Sequence, residues 1–187
     1  MTFSLPPRGI ELILLPLVIG AAVYDLRYRR IPNWLNVLGV VLGLAMNAWL
    51  IVDGRPWPGL IFSLKGLGLG FGVYFALYAI RAMGAGDVKL MAAVGALVGW
   101  QDWFGIFILT AIIGGFSAVV LSLLRGRLKT TLFNVGFILS EFKSGRPAYL
   151  KNEELDVKSS KGLRQPHGAV IAVATVGFLL LSAYMTQ

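Results

Sequence analysis

Residues 83–100 read MGAGDVKLMAAVGALVGW, in which an aspartate follows two glycines at the start of an apolar run. Asp87 is therefore an ionisable group beside sequence apolar enough to enter a membrane, where a charge is costly and usually functional. Gly84 and Gly86 carry no side chain, so another extended backbone can pass close to Asp87, although glycine is also common at a flexible helix start. Lys89 is two residues further on, about 200° around a helix. Its ammonium group is therefore expected to reach the lipid headgroups rather than pair with Asp87.

The composition of the whole chain is that of a membrane protein. Of its 187 residues, 57% are hydrophobic and 14% are charged, whereas soluble domains average roughly 45–50% and 25%. A single soluble domain and a disordered chain are therefore both excluded. The chain has 0 cysteines, which excludes disulfides, thiolate zinc sites and cysteine nucleophiles.

Long apolar segments separated by short polar joints predict an all-α membrane protein with about six transmembrane helices. A helix needs about 20 mostly apolar residues to cross a bilayer. We expect the first and fourth segments, which are shorter, to end in the headgroup region or a wet cavity, or one of them to be re-entrant. All six belong to one predicted membrane domain, 1–187, and they cover 10–24, 34–52, 57–80, 87–100, 103–124 and 168–185.

The basic residues alternate with these segments. The formal net charge is +8, and fourteen Lys and Arg residues lie at every second joint, against two, Arg8 and Arg55, on the other side. Basic residues collect in cytoplasmic loops, so we expect both termini outside and the three basic joints in the cytoplasm. Tryptophans flank the predicted outer joints, as at membrane interfaces. A nucleic-acid partner is not expected, because it would not require this alternation.

The polar stretch 125–167 is predicted to be a cytoplasmic or interfacial loop between the fifth and sixth helices. Within it, 131–142 is apolar enough to lie on the inner leaflet, and 143–166 has the composition of a mobile loop. Attraction of its basic residues to anionic lipid explains its charge more simply than a specific partner.

Glycines spaced four apart predict close helix packing. Such a spacing places both glycines on one helix face and lets neighbouring backbones approach closely. The 23 glycines include four pairs of this kind: Gly39 and Gly43, Gly66 and Gly70, Gly68 and Gly72, and Gly95 and Gly99.

A second aspartate, Asp25, ends the first apolar segment at the same, basic end of the molecule. It lies in YDLRYRRIPN, residues 24–33. Each aspartate alone is equally consistent with a helix cap or an interfacial ion pair, but two at one end favour a site. Facing carboxylates share a proton, so one can act as general base on water while the other protonates a carbonyl oxygen. No metal or cofactor is needed for this chemistry.

These residues resemble the motifs of one known family. The segment GAGDVKL (84–90), together with Asp25 and the Ile31-Pro32-Asn33 tripeptide six residues later, resembles the two aspartate motifs of type IV prepilin peptidases. The resemblance covers roughly 12–124. Pro166-His167-Gly168 also resembles a Pro-aromatic-Gly element of that family, with histidine in the aromatic place.

The resemblance implies a GxGD-type membrane aspartic endopeptidase of the inner membrane. Such enzymes remove short basic leaders from prepilins and pseudopilins at the cytoplasmic face. Asp25 and Asp87 carry over as the catalytic pair, and the other motif positions as substrate-binding residues: Gly84, Gly86, Lys89, Ile31, Pro32 and Asn33. The chain is most similar to the short members of tight-adherence (Flp) systems. Since it has no cysteine and no large domain before Asp25, methyltransferase activity is not expected.

Three alternatives remain open at this point. The chain is also similar to archaeal preflagellin peptidases. The two aspartates could instead relay protons in a small transporter or channel, although both lie at one end rather than near the midplane. A non-catalytic scaffold of a secretion machine would tolerate Asp→Asn at either position. The oligomeric state is not determined by the sequence.

Overall fold

The computed structural model describes residues 8–50, 56–126 and 165–185, with the single residues 129 and 133. This part of the chain consists of helices and short links, which confirms the all-α prediction for it. The helices are α1 (Arg8–Tyr28), α2 (Asn33–Leu50), α3 (Pro56–Ala79), α4 (Ala85–Leu124) and α5 (His167–Met185). Almost all of the predicted interfacial helix, 131–142, and of the predicted loop in 125–167 lies outside the described residues.

Four of these helices are long and apolar enough to cross a membrane. They are α1, α3, α4 and α5, with mean hydropathies between 1.7 and 2.4 over the candidate spans. The protein is therefore an integral membrane protein. Six crossings and two outside termini remain predictions. The prediction that the first helix is too short for a full crossing was wrong. α1 continues through Asp25 and ends at Tyr28, so it has 21 residues and is long enough to cross.

α4 is interrupted at Gly99. This residue has φ 75° and ψ 179°, a backbone conformation that glycine adopts without steric cost. Beyond it, the Trp103 indole Nε1 donates to the Met91 carbonyl oxygen at 3.1 Å, although twelve residues of a straight helix would span about 18 Å. The chain therefore turns back at Gly99 into two arms, 85–98 and 100–124. They correspond to the predicted fourth and fifth helices.

Two polar side chains of neighbouring helices bind the carbonyl groups next to this bend. A break at Gly99 removes helical hydrogen-bond partners from the preceding carbonyls. Asn47 Nδ2 donates to the carbonyl oxygens of Ala96 and Leu97 at 2.9 and 3.0 Å, and Ser63 Oγ also donates to Ala96 O. Asn47 and Ser63 are both fully buried. α2 and α3 thus cap the first arm of α4 from outside the helix.

Glycine contacts hold α3 against the first arm of α4. A Cβ atom on Gly66 would collide with the Gly95 carbonyl group, and one on Gly70 with the Met91 carbonyl oxygen. In α2, a Cβ atom on Gly43 would collide with the backbone of Ala96 in this arm, and one on Gly39 with the Leu17 side chain of α1 and with Ala93 Cβ of this arm. Close packing is therefore confirmed for these glycines. It is wrong for Gly68 and Gly72, whose Cβ positions have no described atom within 4 Å.

We predict that Gly66→Ala destabilises the bundle. Its new methyl group meets backbone atoms of Gly95, which cannot rotate away, so α3 and α4 must separate at a cost of about 1–3 kcal/mol. The measurement is the thermal unfolding midpoint in detergent. Gly68→Ala, two residues away on the same helix, is the matched control and should not lower the midpoint, because its methyl group meets no described atom and alanine favours the helix over glycine. Equal midpoints for both variants would contradict the packing described here.

Candidate functional site

Asp25 lies near the end of α1, against the first turn of α5. Its side chain is only 8% exposed, and its Oδ2 accepts a hydrogen bond of 2.8 Å from the backbone N–H of Gly168. First-turn N–H groups have no partner within their own helix, and the helix N-terminus favours a negative charge. α5 therefore holds one oxygen of this carboxylate in a fixed place.

Asp87 lies in the first turn of α4 and is half-buried. Its Oδ2 accepts a hydrogen bond of 3.2 Å from the N–H of Gly84, the residue at the N-cap position, where the backbone is extended with φ −83° and ψ 151°. Asp87 therefore caps its own helix, as one of the interpretations of the sequence proposed. The capping contact uses one carboxylate oxygen only.

Ile31 lies close to a glycine beside each aspartate, Gly86 next to Asp87 and Gly168 next to Asp25. A Cβ atom on Gly86, next to Asp87, would lie 3.4 Å from Ile31 Cβ. One on Gly168 would lie 3.1 Å from both Ile31 Cδ1 and Asp25 Oδ2. The two carboxylates thus lie at the same end of the bundle, around one buried isoleucine.

The two sequence motifs also meet outside the aspartates. Lys89 Nζ donates to Asn33 Oδ1 at 2.8 Å on the exposed surface, so Lys89 has a protein partner rather than only the headgroups. Pro32 is half-buried in the link between α1 and α2. The segment 31–33 therefore lies beside the start of α4.

Comparison with known proteins bears directly on this arrangement. The model of the type IV leader peptidase family matches residues 12–119, more than half of the chain, and this match includes both aspartates and both motifs. The chain belongs to the type IV leader peptidase family. No solved structure matches it.

The matched relatives are longer than this chain. A prepilin leader peptidase/N-methyltransferase of Escherichia coli K12 is 32% identical over 120 residues, covering 62% of this chain and 52% of the relative. The protein of the same name from Aeromonas hydrophila is 36% identical over 124 residues, with 50% and 43% covered. That from Myxococcus xanthus is 27% identical over 133 residues, with 67% and 37% covered. The chain thus spans about half or less of each relative.

Two further side chains lie near this candidate site, Tyr74 and His167, and neither was assigned a role in the chemistry from the sequence. Tyr74 of α3 is 1% exposed, and the centroid of its ring lies 6.1 Å from that of His167. Tyr74 lies four residues after Gly70, on the face of α3 that packs against α4. That spacing was the signal available in the sequence. Among the described residues, no group of three His, Cys, Asp or Glu side chains is placed to hold a metal ion.

We predict that Asp25→Ala lowers the stability of the fold and that Asp25→Asn preserves it. Alanine leaves the buried Gly168 N–H without an acceptor, at a cost of about 1–3 kcal/mol, whereas the asparagine Oδ1 can still accept. The measurement is the thermal unfolding midpoint of each purified variant. An equal loss for both would mean that this hydrogen bond does not join α1 to α5.

Proposed function

We propose that this protein is an aspartic endopeptidase that removes the short basic leader from type IV prepilins and pseudopilins of the Flp kind. The observation that carries the proposal is the placement of Asp25 and Asp87 around Ile31, within the segment that matches the leader peptidase family. The names of the matched relatives include prepilin leader peptidase, which supports the substrate class. The alternative function, a transporter or channel in which the two aspartates relay protons, has no comparable support from the matched relatives.

In the proposed mechanism the aspartates act as one unit. Like charges held close cannot both ionise readily, so the pair retains one shared proton. The ionised member removes a proton from water, and the protonated member donates to the scissile carbonyl oxygen. The water oxygen attacks the carbonyl carbon, and the tetrahedral gem-diol then collapses with cleavage of its C–N bond. The leaving amine takes a proton from the pair, and one hydroxyl of the gem-diol returns a proton to it, so the pair ends with its single shared proton. No covalent intermediate with the enzyme forms.

Several contacts prepare this site before substrate arrives. Gly168 fixes Asp25 through its N–H, and the N-cap contact with Gly84 fixes Asp87. Gly84 and Gly86 leave room for a substrate backbone beside Asp87. Because Lys89 and Asn33 bind each other, we assign them the role of holding the start of α4 against the link to α2. Ile31 and Pro32 complete that link.

We place the site at the cytoplasmic face of the inner membrane. Arg27, Arg29 and Arg30 follow Asp25, and Arg81 precedes α4; all four are exposed at the end that carries the aspartates. Basic residues mark the cytoplasmic side of a membrane protein, and they also attract anionic lipid. An uncleaved leader would meet the aspartates on this side.

We predict that Asp25→Asn and Asp87→Asn each abolish leader removal while the amount of folded protein stays near normal. Loss of a general acid or base should reduce the rate by about 10²-fold or more, and asparagine preserves size and hydrogen bonding. The measurement is the size shift of a co-expressed Flp-type prepilin on a gel.

The matched control is Asp102→Asn. Asp102 is as buried as Asp25, at 7% exposed, but it lies just beyond the Gly99 bend, in the second arm of α4. Its substitution should leave processing intact. Processing by both single variants at positions 25 and 87 would exclude the two-aspartate mechanism.

The size of the side chain at position 86 should also control cleavage. Gly86→Ala adds one methyl group at ordinary contact distance from Ile31, 3.4 Å from its Cβ, and should be tolerated. Gly86→Val adds two more methyl groups that press on Ile31 and on the substrate path, so the cleavage rate per folded molecule should fall several-fold. Equal rates for the Ala and Val variants would remove this role of Gly86.

A further inference from the structure

His167 carries a buried polar atom that has no partner. In the part of the chain that the structure describes, Nε2 of this histidine is inaccessible and makes no hydrogen bond. Buried side-chain nitrogen and oxygen atoms are nearly always hydrogen-bonded, because an unmade bond is costly in a weakly polar environment. An unpartnered Nε2 therefore points to a ligand that is absent from the free protein.

The position of this imidazole identifies the candidate ligand. His167 begins α5 and directly precedes Gly168, which binds Asp25. The centroid of its ring lies 6.1 Å from that of Tyr74, and Ile31, which borders Gly168, also borders Gly86 next to Asp87. On another side, His167 Cε1 lies 3.9 Å from the Cβ position of Gly114 in the second arm of α4. The imidazole is thus held among α3, α4 and α5, beside both aspartates.

A purely structural role does not explain a histidine here. The contacts of its ring with Tyr74 and with the Gly114 region need only an aromatic side chain. Phenylalanine would fill the same place without a buried unbonded nitrogen, and such a replacement is neutral or stabilising when no partner exists. The nitrogen is therefore useful only when something binds it.

We propose that His167 Nε2 forms a hydrogen bond with the peptide backbone of the substrate next to the scissile bond. Because Nε2 is inaccessible in the free protein, a peptide bound at the two carboxylates must displace the atoms that cover it. A peptide group then offers both an N–H donor and a carbonyl acceptor. A neutral imidazole can supply either partner. His167 is then a substrate-binding residue beside the aspartates. This inference rests on the proposed function.

The test compares three substitutions at this position: His167→Phe, His167→Gln and His167→Asn. Phenylalanine keeps the ring and removes the nitrogen. The glutamine amide nitrogen can occupy the place of Nε2, whereas the shorter asparagine reaches only the place of Nδ1. Purified enzyme in detergent is given a synthetic prepilin with a basic leader, and kcat/KM and the thermal unfolding midpoint are measured for each variant.

We expect His167→Phe and His167→Asn to lower kcat/KM about two- to tenfold, as for the loss of one neutral hydrogen bond. His167→Gln should lie closer to wild type than His167→Asn, and the midpoint of His167→Phe should be at least that of wild type. Wild-type kcat/KM for His167→Phe, or no advantage of Gln over Asn, would overturn the inference. The same assay tests the proposed function separately through wild-type enzyme and Asp25→Asn. The proposed function is contradicted if the wild-type enzyme does not cleave the prepilin, whatever the His167 variants do.

Discussion

The hydrogen bond from the Gly168 N–H to Asp25 is the contact on which the site depends. It joins residues 143 positions apart in the sequence at 2.8 Å, and it brings the start of the last described helix against the end of the first. Without it, the carboxylate of Asp25 would have no fixed direction. With it, α1 and α5 form one part of the molecule, and the dipole at the start of α5 acts on a single oxygen.

The other part of the molecule consists of α2, α3 and the first arm of α4, and a different kind of contact holds it together. Lipid tails are as apolar as leucine, so burying leucine provides little association energy in a membrane. Close backbone approach replaces it: Gly43 lies against Ala96, and Gly66 against Gly95. The hydrogen bonds from Asn47 of α2 to carbonyl oxygens next to Gly99 also hold α2 against this arm of α4. Asp87 sits on the opposite end of this arm, which is buried along nearly its whole length.

Residue types and motifs could be predicted from the sequence, but contacts between side chains could not. Asp25 and Asp87 stood out because acidic residues are rare beside apolar segments, and their two motifs were recognisable as patterns. The Gly99 bend was anticipated as a joint between two helices. The partners of side chains were not predictable: Lys89 with Asn33, and Tyr74 with His167, depend on helix rotation. Gly68 and Gly72 have the same spacing as Gly66 and Gly70 but face away from α4.

Ile31 lies where the two parts of the molecule meet, and this gives it control over the spacing of the aspartates. Asp25 is fixed by α5, and Asp87 by the α4 cap, so neither can adjust alone without losing its hydrogen bond. The Ile31 side chain borders both Gly86 and Gly168, the glycines that adjoin the two aspartates. Interiors this tightly packed respond to added volume by moving whole elements. A change at Ile31 would therefore alter the distance between the carboxylates while leaving both of their immediate contacts intact.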